Sequence, residues 1–122
     1  MTELRHDFAR INGVRMHYVT AGDGPLLLLL HGFPDFWFSW RRQIPALAER
    51  FTVVAPDQRG YNESDKPGWG YGVDVLVADV VELIAALGHE RAMVVGHDWG
   101  GAVAWATAIA RPHRVSRLAV IN

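Results

Sequence analysis

The sequence predicts an α/β fold in which a mostly parallel sheet, with an antiparallel start, carries helices on both faces. The first observation is the run Leu26–Leu30, which is apolar without interruption and therefore suits a strand buried on both sides. The second is that residues 51–55, 92–95 and 118–121 repeat this pattern. The third is that segments with helical spacing separate these runs, and such alternation indicates parallel strands joined by helices.

An antiparallel hairpin is predicted before the parallel strands. Residues Arg5–Ile11 and 14–20 form two strand-like segments that are separated by the pair Asn12-Gly13. Asparagine and glycine both tolerate the positive φ angles of a tight two-residue turn. The sheet is therefore expected to open with two antiparallel strands.

Two long segments are predicted to be helical. In residues 73–87 the apolar side chains recur on one helical face, with Asp74 near the start and Gly88 after the end. Residues 100–110 are rich in alanine and end before Pro112, which is typical of a central helix packed closely on a sheet.

The remaining connections are less regular. Residues 39–50 are predicted to form a helix that Pro45 bends or interrupts, because proline removes a hydrogen-bond donor. Residues 57–72 have no apolar period and are predicted to be a long surface loop. Since no internal repeat or linker is found, residues 1–122 are interpreted as part of one domain.

Composition and charge exclude several classes of function. The 122 residues include 12 Lys+Arg and 13 Asp+Glu, half are hydrophobic, and none is cysteine. A formal charge of −1 argues against nucleic-acid binding, and the lack of cysteine excludes disulfides and thiol catalysis. The start lacks the apolar region of a signal peptide, and the apolar runs are shorter than the roughly 20 residues that cross a bilayer. A cytoplasmic protein without a membrane span is expected.

Gly96, Asp98 and Gly100 follow the spacing Gly-x-Asp-x-Gly at a predicted junction between strand and helix. This is the spacing of a nucleophile elbow with aspartate where serine is more common. The turn strains its central residue, so small neighbours are needed, and the following helix directs N–H groups at the central carboxylate. A charged, oriented carboxylate can attack carbon. An aspartate between strand and helix is also a preferred N-cap, and the motif alone leaves that structural role open.

A second motif is expected at the same edge of the sheet. The segment His31-Gly32-Phe33-Pro34 directly follows the predicted strand Leu26–Leu30. In elbow enzymes one oxyanion-hole donor is the N–H after the nucleophile, and the other comes from the loop after the third strand. Those donors are expected to be the backbone N–H groups of Trp99 and Phe33. The two motifs together favour catalysis over simple capping at Asp98.

These segments resemble the α/β-hydrolase superfamily and, within it, the epoxide hydrolases. The resemblance spans most of the chain and rests on four motifs: His31-Gly32-Phe33-Pro34-Asp35, Trp40-Arg41-x-Gln43-Ile44-Pro45, Asp57-x-Arg59-Gly60-Tyr61 with Ser64-x-x-Pro67, and Gly96-His97-Asp98-Trp99-Gly100-Gly101. Asn62 replaces the glycine that commonly follows the tyrosine, and asparagine also tolerates positive φ. The resemblance further implies a cis peptide between Phe33 and Pro34.

The resemblance implies a two-step hydrolysis at Asp98. The carboxylate would open an epoxide to form an alkyl-enzyme ester, and a water activated by a histidine would then release a vicinal diol. The N–H groups of Phe33 and Trp99 would stabilise the oxyanion, and the side chains of Trp99, Phe33 and Pro34 would line the substrate pocket. Neither a metal nor an organic cofactor is implied. The other motif residues would shape the elbow and its loop: His31, Gly32, Gly96, His97, Gly100 and Gly101.

The resemblance also implies catalytic residues that follow Asn122. In the family the base histidine, its acidic partner and the lid tyrosines come after later strands, and Tyr18, Tyr61 and Tyr71 match no lid position. His89 and His113 follow helices that run away from the catalytic edge, and the expected role of His31 is a structural hydrogen bond. Residues 1–122 are thus interpreted as the N-terminal part of one α/β-hydrolase domain, without the lid and the C-terminal strands. We expect this segment alone not to turn over, and to self-associate through an unpaired sheet edge.

Two other functions remain open from the sequence. A haloalkane or haloacid dehalogenase uses the same aspartate to displace halide, and a tryptophan after the nucleophile can bind the leaving halide. Phe33 argues against the haloalkane type, which usually has asparagine there, and Trp99 argues against the fluoroacetate type, which usually has arginine. The other alternative is a non-catalytic relative that uses the pocket for binding, although binding alone needs no strained carboxylate. No serine occupies an elbow, so serine esterase chemistry is disfavoured.

Overall fold

The computed structural model describes residues 3–122 and contains one sheet of six strands. The strands span Arg5–Ile11 (β1), Val14–Ala21 (β2), Leu26–Leu30 (β3), Thr52–Pro56 (β4), Ala92–His97 (β5) and Val115–Ile121 (β6). Their order in the sheet is β1-β2-β4-β3-β5-β6. β2 pairs antiparallel with both β1 and β4, whereas β3, β4, β5 and β6 run parallel to one another. The α/β fold class with an antiparallel start is therefore confirmed.

Helices cover both faces of the sheet, as predicted. The α-helices are Ile44–Leu47 (α1), Val73–Ala86 (α2) and Trp99–Ala110 (α3), and short 3₁₀ helices span Trp37–Trp40 and Pro112–Arg114. Alternate leucines of β3 pack against α2 and α3, and the leucines between them pack against Trp40 and Ile44 on the opposite face. Because consecutive strand residues face opposite sides, β3 is buried on both. None of the helices within residues 3–122 has the length and apolar character needed to cross a membrane.

The segment 39–50 is not the helix that the sequence predicts. The end of the first 3₁₀ helix, a turn and the short helix α1 occupy it instead. Pro45 lies in the first turn of α1. Backbone N–H groups in a first turn have no hydrogen-bond partner within the helix, so the lack of an N–H at proline costs nothing there. The proline therefore starts a new helix rather than bending an existing one. The other predicted strands and helices are present, with ends that shift by up to three residues.

The connection 57–72 is irregular as predicted, but the description of it as a surface loop is wrong for its first part. Four of its polar side chains are buried: Asp57, Gln58, Arg59 and Ser64. Asp57 accepts hydrogen bonds from the Trp37 N–H at 2.9 Å and from His17 Nδ1 at 2.6 Å. Arg59 makes two hydrogen bonds to Asp79 of α2, at 2.8 and 2.9 Å. Burial is tolerated because these polar groups are paired.

Replacing Asp79 with alanine is expected to lower the free energy of unfolding by about 3–5 kcal/mol, because the buried Arg59 guanidinium would lose its carboxylate partner. Urea unfolding followed by circular dichroism measures the loss. Asp74→Ala is the control, since Asp74 is an exposed carboxylate in the first turn of the same helix and its removal should cost less than about 1 kcal/mol. Equal losses in the two variants would contradict the assigned role of the buried pair.

Candidate active site

Asp98 lies at the junction between β5 and α3 with φ 56° and ψ −122°. A positive φ is uncommon for a residue other than glycine, and here it turns the chain sharply from the strand into the helix. The residue is exposed at the carboxyl end of the parallel strands. The Asp98 side chain makes no hydrogen bond that caps α3. The structure therefore gives no support to the alternative in which Asp98 is only an N-cap.

The loop after β3 contacts Asp98 directly. The Phe33 N–H donates a hydrogen bond to Asp98 Oδ2 at 3.0 Å. The Phe33–Pro34 peptide is cis, as the resemblance implies. A Cβ atom on Gly32 would lie 2.6 Å from the Asp98 Cβ, so only glycine lets the loop approach the elbow this closely.

Small residues also hold the elbow against the sheet. A Cβ atom on Gly96 would lie 2.2 Å from the carbonyl oxygen of Gly100, and one on Gly101 would lie 2.8 Å from Val120 Cγ1. The first turn of α3 therefore packs on the ends of β5 and β6 with no room for side chains at these two positions.

The Asp98 carboxyl group is favoured in its ionised form. The hydrogen bond from the Phe33 N–H is the main cause, and the Trp99 N–H at the start of α3 acts in the same direction. Together they hold the pKa of Asp98 below the ordinary value of an aspartate. The group is therefore negatively charged at neutral pH and can act as a nucleophile toward an electrophilic carbon.

His31 is fully buried between the loops that follow β3 and β4. Its Nε2 accepts a hydrogen bond from the Gln58 N–H at 3.0 Å, so its Nδ1 carries the proton and donates to the Gly32 carbonyl at 2.9 Å. Burial lowers the pKa of His31 below its ordinary value, more than the Gly32 carbonyl raises it. A neutral imidazole with both nitrogens engaged positions the loops and has no nitrogen free to activate water.

His97 directly precedes Asp98 in the chain, and two further histidines lie at other places in the fold. His97 is exposed at the end of β5 and borders a separate cavity of about 270 Å³ beside Trp40. His89 follows α2 and lies near Leu26 at the amino end of β3. His113 is part of the 3₁₀ helix that follows α3. None of the three lines either of the two cavities that contain Asp98.

A cavity of about 570 Å³ opens at Asp98 and is lined by Phe33, Tyr61, Asp98, Trp99 and Asn122. Pro34, which the sequence also assigns to the pocket, is exposed and does not line this cavity. Tyr61 and Asn122 are the lining residues that the sequence analysis missed. The signal that could have found them is topological, because they follow β4 and β6, and the carboxyl ends of parallel strands meet at one edge. No cluster of three or more His, Asp or Glu side chains suited to a metal ion occurs within residues 3–122.

Comparison with known proteins adds the following findings. A model of the family described as the alpha/beta hydrolase fold matches residues 25–122. The soluble epoxide hydrolase of Corynebacterium sp. strain C12 is 51% identical over 121 residues, which cover 99% of this chain and 42% of that protein. The structure of an epoxide hydrolase from Vigna radiata matches 97% of this chain and 38% of its own, at 40% identity and a TM-score of 0.94. A mutant epoxide hydrolase from Bacillus megaterium, complexed with a naphthyloxy-propanediol product, matches 95% of this chain and 42% of its own, at 43% identity and a TM-score of 0.93.

In each of these relatives the matched segment is part of a longer chain. It spans less than half the length of each of the three. The matched part includes both the loop after β3 and the elbow at Asp98. From the sequence match and the shared topology, the chain belongs to the α/β hydrolase fold family.

Proposed function

We propose that this chain supplies the nucleophile and the oxyanion hole of an epoxide hydrolase. Asp98 attacks one carbon of an epoxide, the bond between that carbon and the ring oxygen breaks, and the ring oxygen takes up a proton. This step forms an alkyl ester of Asp98. Water then adds to the ester carbonyl, and the Phe33 and Trp99 N–H groups stabilise the oxyanion. Collapse of the oxyanion releases a vicinal diol and restores the carboxylate.

One observation carries the proposal: the Asp98 carboxylate sits on a strained elbow within 3.0 Å of the Phe33 N–H. Fixed N–H donors of this kind stabilise negative charge that develops during acyl transfer. A pocket used only for binding has no need of a carboxylate held at positive φ, which disfavours a non-catalytic role. The relatives that carry the matched segment are named epoxide hydrolases, and the product bound in the Bacillus megaterium complex is a vicinal diol.

The second step needs a base, and we propose that it lies outside residues 1–122 together with its acidic partner and the lid. Both nitrogens of His31 are engaged in hydrogen bonds. The five other histidines do not line the cavity at Asp98: His6, His17, His89, His97 and His113. The chain alone is therefore expected to form the ester and to stop there.

The test is to incubate the chain with 1-naphthyl glycidyl ether at neutral pH and to locate adducts by peptide mass spectrometry. We expect Asp98 to gain the mass of one intact epoxide, because ring opening adds the whole molecule, and we expect the ester to persist. The matching diol, which has no electrophilic ring, is the control and should leave the mass unchanged. The proposal is overturned if no adduct forms or if adducts form only at other residues.

The same assay with 1-bromohexane distinguishes dehalogenation from epoxide opening. Displacement of bromide would add only the alkyl group to Asp98 and would release one bromide ion. We expect the epoxide adduct to form faster than the hexyl adduct at equal concentration. Faster alkylation by the bromide would favour the dehalogenase alternative.

We also propose that the chain associates with another copy along β6. Within residues 3–122, β6 pairs only with β5, and exposed apolar side chains lie on or near it: Trp105, Ile109, Val120 and Ile121. Unpaired strand edges and apolar patches both favour association. The cytoplasmic location expected from the sequence stays a prediction.

A further inference from the structure

The phenol hydroxyl of Tyr61 is a polar group in the cavity that the proposed mechanism does not use. Tyr61 lines the same cavity as Asp98. Within residues 3–122 its hydroxyl has no hydrogen-bond partner, whereas the hydroxyl of Tyr71 donates to the Pro67 carbonyl at 2.6 Å. The Tyr61 hydroxyl is therefore available to a molecule that enters the cavity.

The ring of Tyr61 is held by a packing contact, and its backbone is held by two hydrogen bonds. It packs edge-to-face against the buried His31, with 4.8 Å between ring centroids and 71° between ring planes. Its backbone N–H donates to the Gln58 carbonyl and its carbonyl accepts from the Ser64 N–H, each at 3.0 Å. A side chain fixed in this way presents its hydroxyl at a defined place and loses little entropy when a ligand binds.

The hydroxyl is a hydrogen-bond donor at neutral pH. Burial raises the pKa of Tyr61 above its ordinary value, and the negative charge of Asp98 raises it further. The neighbouring walls formed by Phe33 and Trp99 present mainly aromatic surface. The Tyr61 hydroxyl thus adds a neutral donor to a cavity that also contains the Asp98 carboxylate and Asn122.

The direction of attack limits what this donor can bind. A carboxylate displaces the ring oxygen from the opposite side of the carbon, so the ring oxygen departs away from Asp98. Tyr61 and Asp98 both line the cavity, and each follows a parallel strand, β4 and β5, whose carboxyl ends lie at one edge of the sheet. A group beside the attacked carbon therefore stays nearer to this edge of the sheet than the departing oxygen does.

We propose that Tyr61 determines substrate specificity by donating a hydrogen bond to an oxygen atom in the substituent next to the epoxide ring. The site then favours epoxides with an ether oxygen at that position over hydrocarbon epoxides of the same shape. This inference rests on the proposed function, because it concerns the substrate that Asp98 attacks.

The test compares phenyl glycidyl ether with 1,2-epoxy-4-phenylbutane, in which a methylene replaces the ether oxygen. The rate at which each alkylates Asp98 of the full chain is followed by mass spectrometry. Tyr61→Phe should lower the ratio of the ether rate to the hydrocarbon rate by about 3- to 10-fold, the effect of one hydrogen bond. Comparing this ratio between proteins cancels the intrinsic reactivity of the two epoxides. Tyr71→Phe, which removes a hydroxyl outside the cavity, should leave the ratio unchanged.

The outcomes separate the inference from the proposed function. Tyr61→Phe keeps the ring that packs on His31, and thermal unfolding verifies that the variant is folded. An equal loss of rate with both epoxides would mean that Tyr61 acts through Asp98, and unchanged rates with both epoxides would mean that it does not contact the substituent; either result overturns the inference alone. Failure of both epoxides to alkylate Asp98 in the unsubstituted chain overturns the proposed function and this inference with it.

Discussion

Replacing Asp98 with alanine is expected to abolish epoxide hydrolysis, with kcat lowered by about 10⁴-fold or more. The measurement uses a chimera that joins residues 1–122 to the part of the Corynebacterium epoxide hydrolase following its matched segment, since this chain corresponds to 42% of that protein. The added part is intended to supply the base and the lid that the proposed mechanism needs. Chromatographic measurement of diol formation gives kcat.

The loss is expected to be large because in the proposed mechanism Asp98 forms a covalent bond to the substrate, and no other aspartate or glutamate lines the cavity. Asp98→Asn should also fail to form the ester, but an activated side-chain amide can hydrolyse back to aspartate, so alanine gives the cleaner result. Asp23→Ala removes an exposed carboxylate in the turn after β2 and should leave kcat within about twofold. If the Asp98→Ala chimera retained more than about a tenth of kcat, Asp98 would not be the nucleophile.

The elbow and the loop after β3 could be predicted from the sequence because short segments encode them. The Gly-x-Asp-x-Gly spacing lies within five consecutive residues, and the loop directly follows an apolar strand. Parallel strands then bring the two segments to the same edge, where Leu30 of β3 pairs with Gly96 of β5. The hydrogen bond between Phe33 and Asp98 follows from that topology.

The buried polar network could not be predicted in the same way. His17 and Asp57 are 40 residues apart, and Arg59 and Asp79 are 20 residues apart. No local spacing indicates that these side chains pair, since charged residues without an apolar period normally indicate a solvated loop. Tyr61 was missed for a related reason, because its position in the cavity depends on the path of that buried loop.

Gly100→Ala is expected to lower the free energy of unfolding by about 3 kcal/mol or more, which is large for the addition of one methyl group. A Cβ atom on Gly100 would lie 2.2 Å from the Leu30 carbonyl oxygen and 2.4 Å from the His31 carbonyl oxygen. Both are main-chain atoms at the end of β3, so neither can rotate away as a flexible side chain could. The start of α3 must therefore move away from β3.

That movement is also expected to separate Asp98 from the loop after β3. Asp98 directly precedes α3, so a shift of the helix lengthens the 3.0 Å hydrogen bond from the Phe33 N–H and weakens the alkylation of Asp98 even in molecules that remain folded. Urea unfolding and the epoxide adduct assay measure the two effects. Gly68→Ala is the control, because a Cβ atom there meets nothing within 4 Å, and its stability should change by less than about 0.5 kcal/mol. Equal stability and equal alkylation in the two variants would show that α3 does not need the close contact with β3.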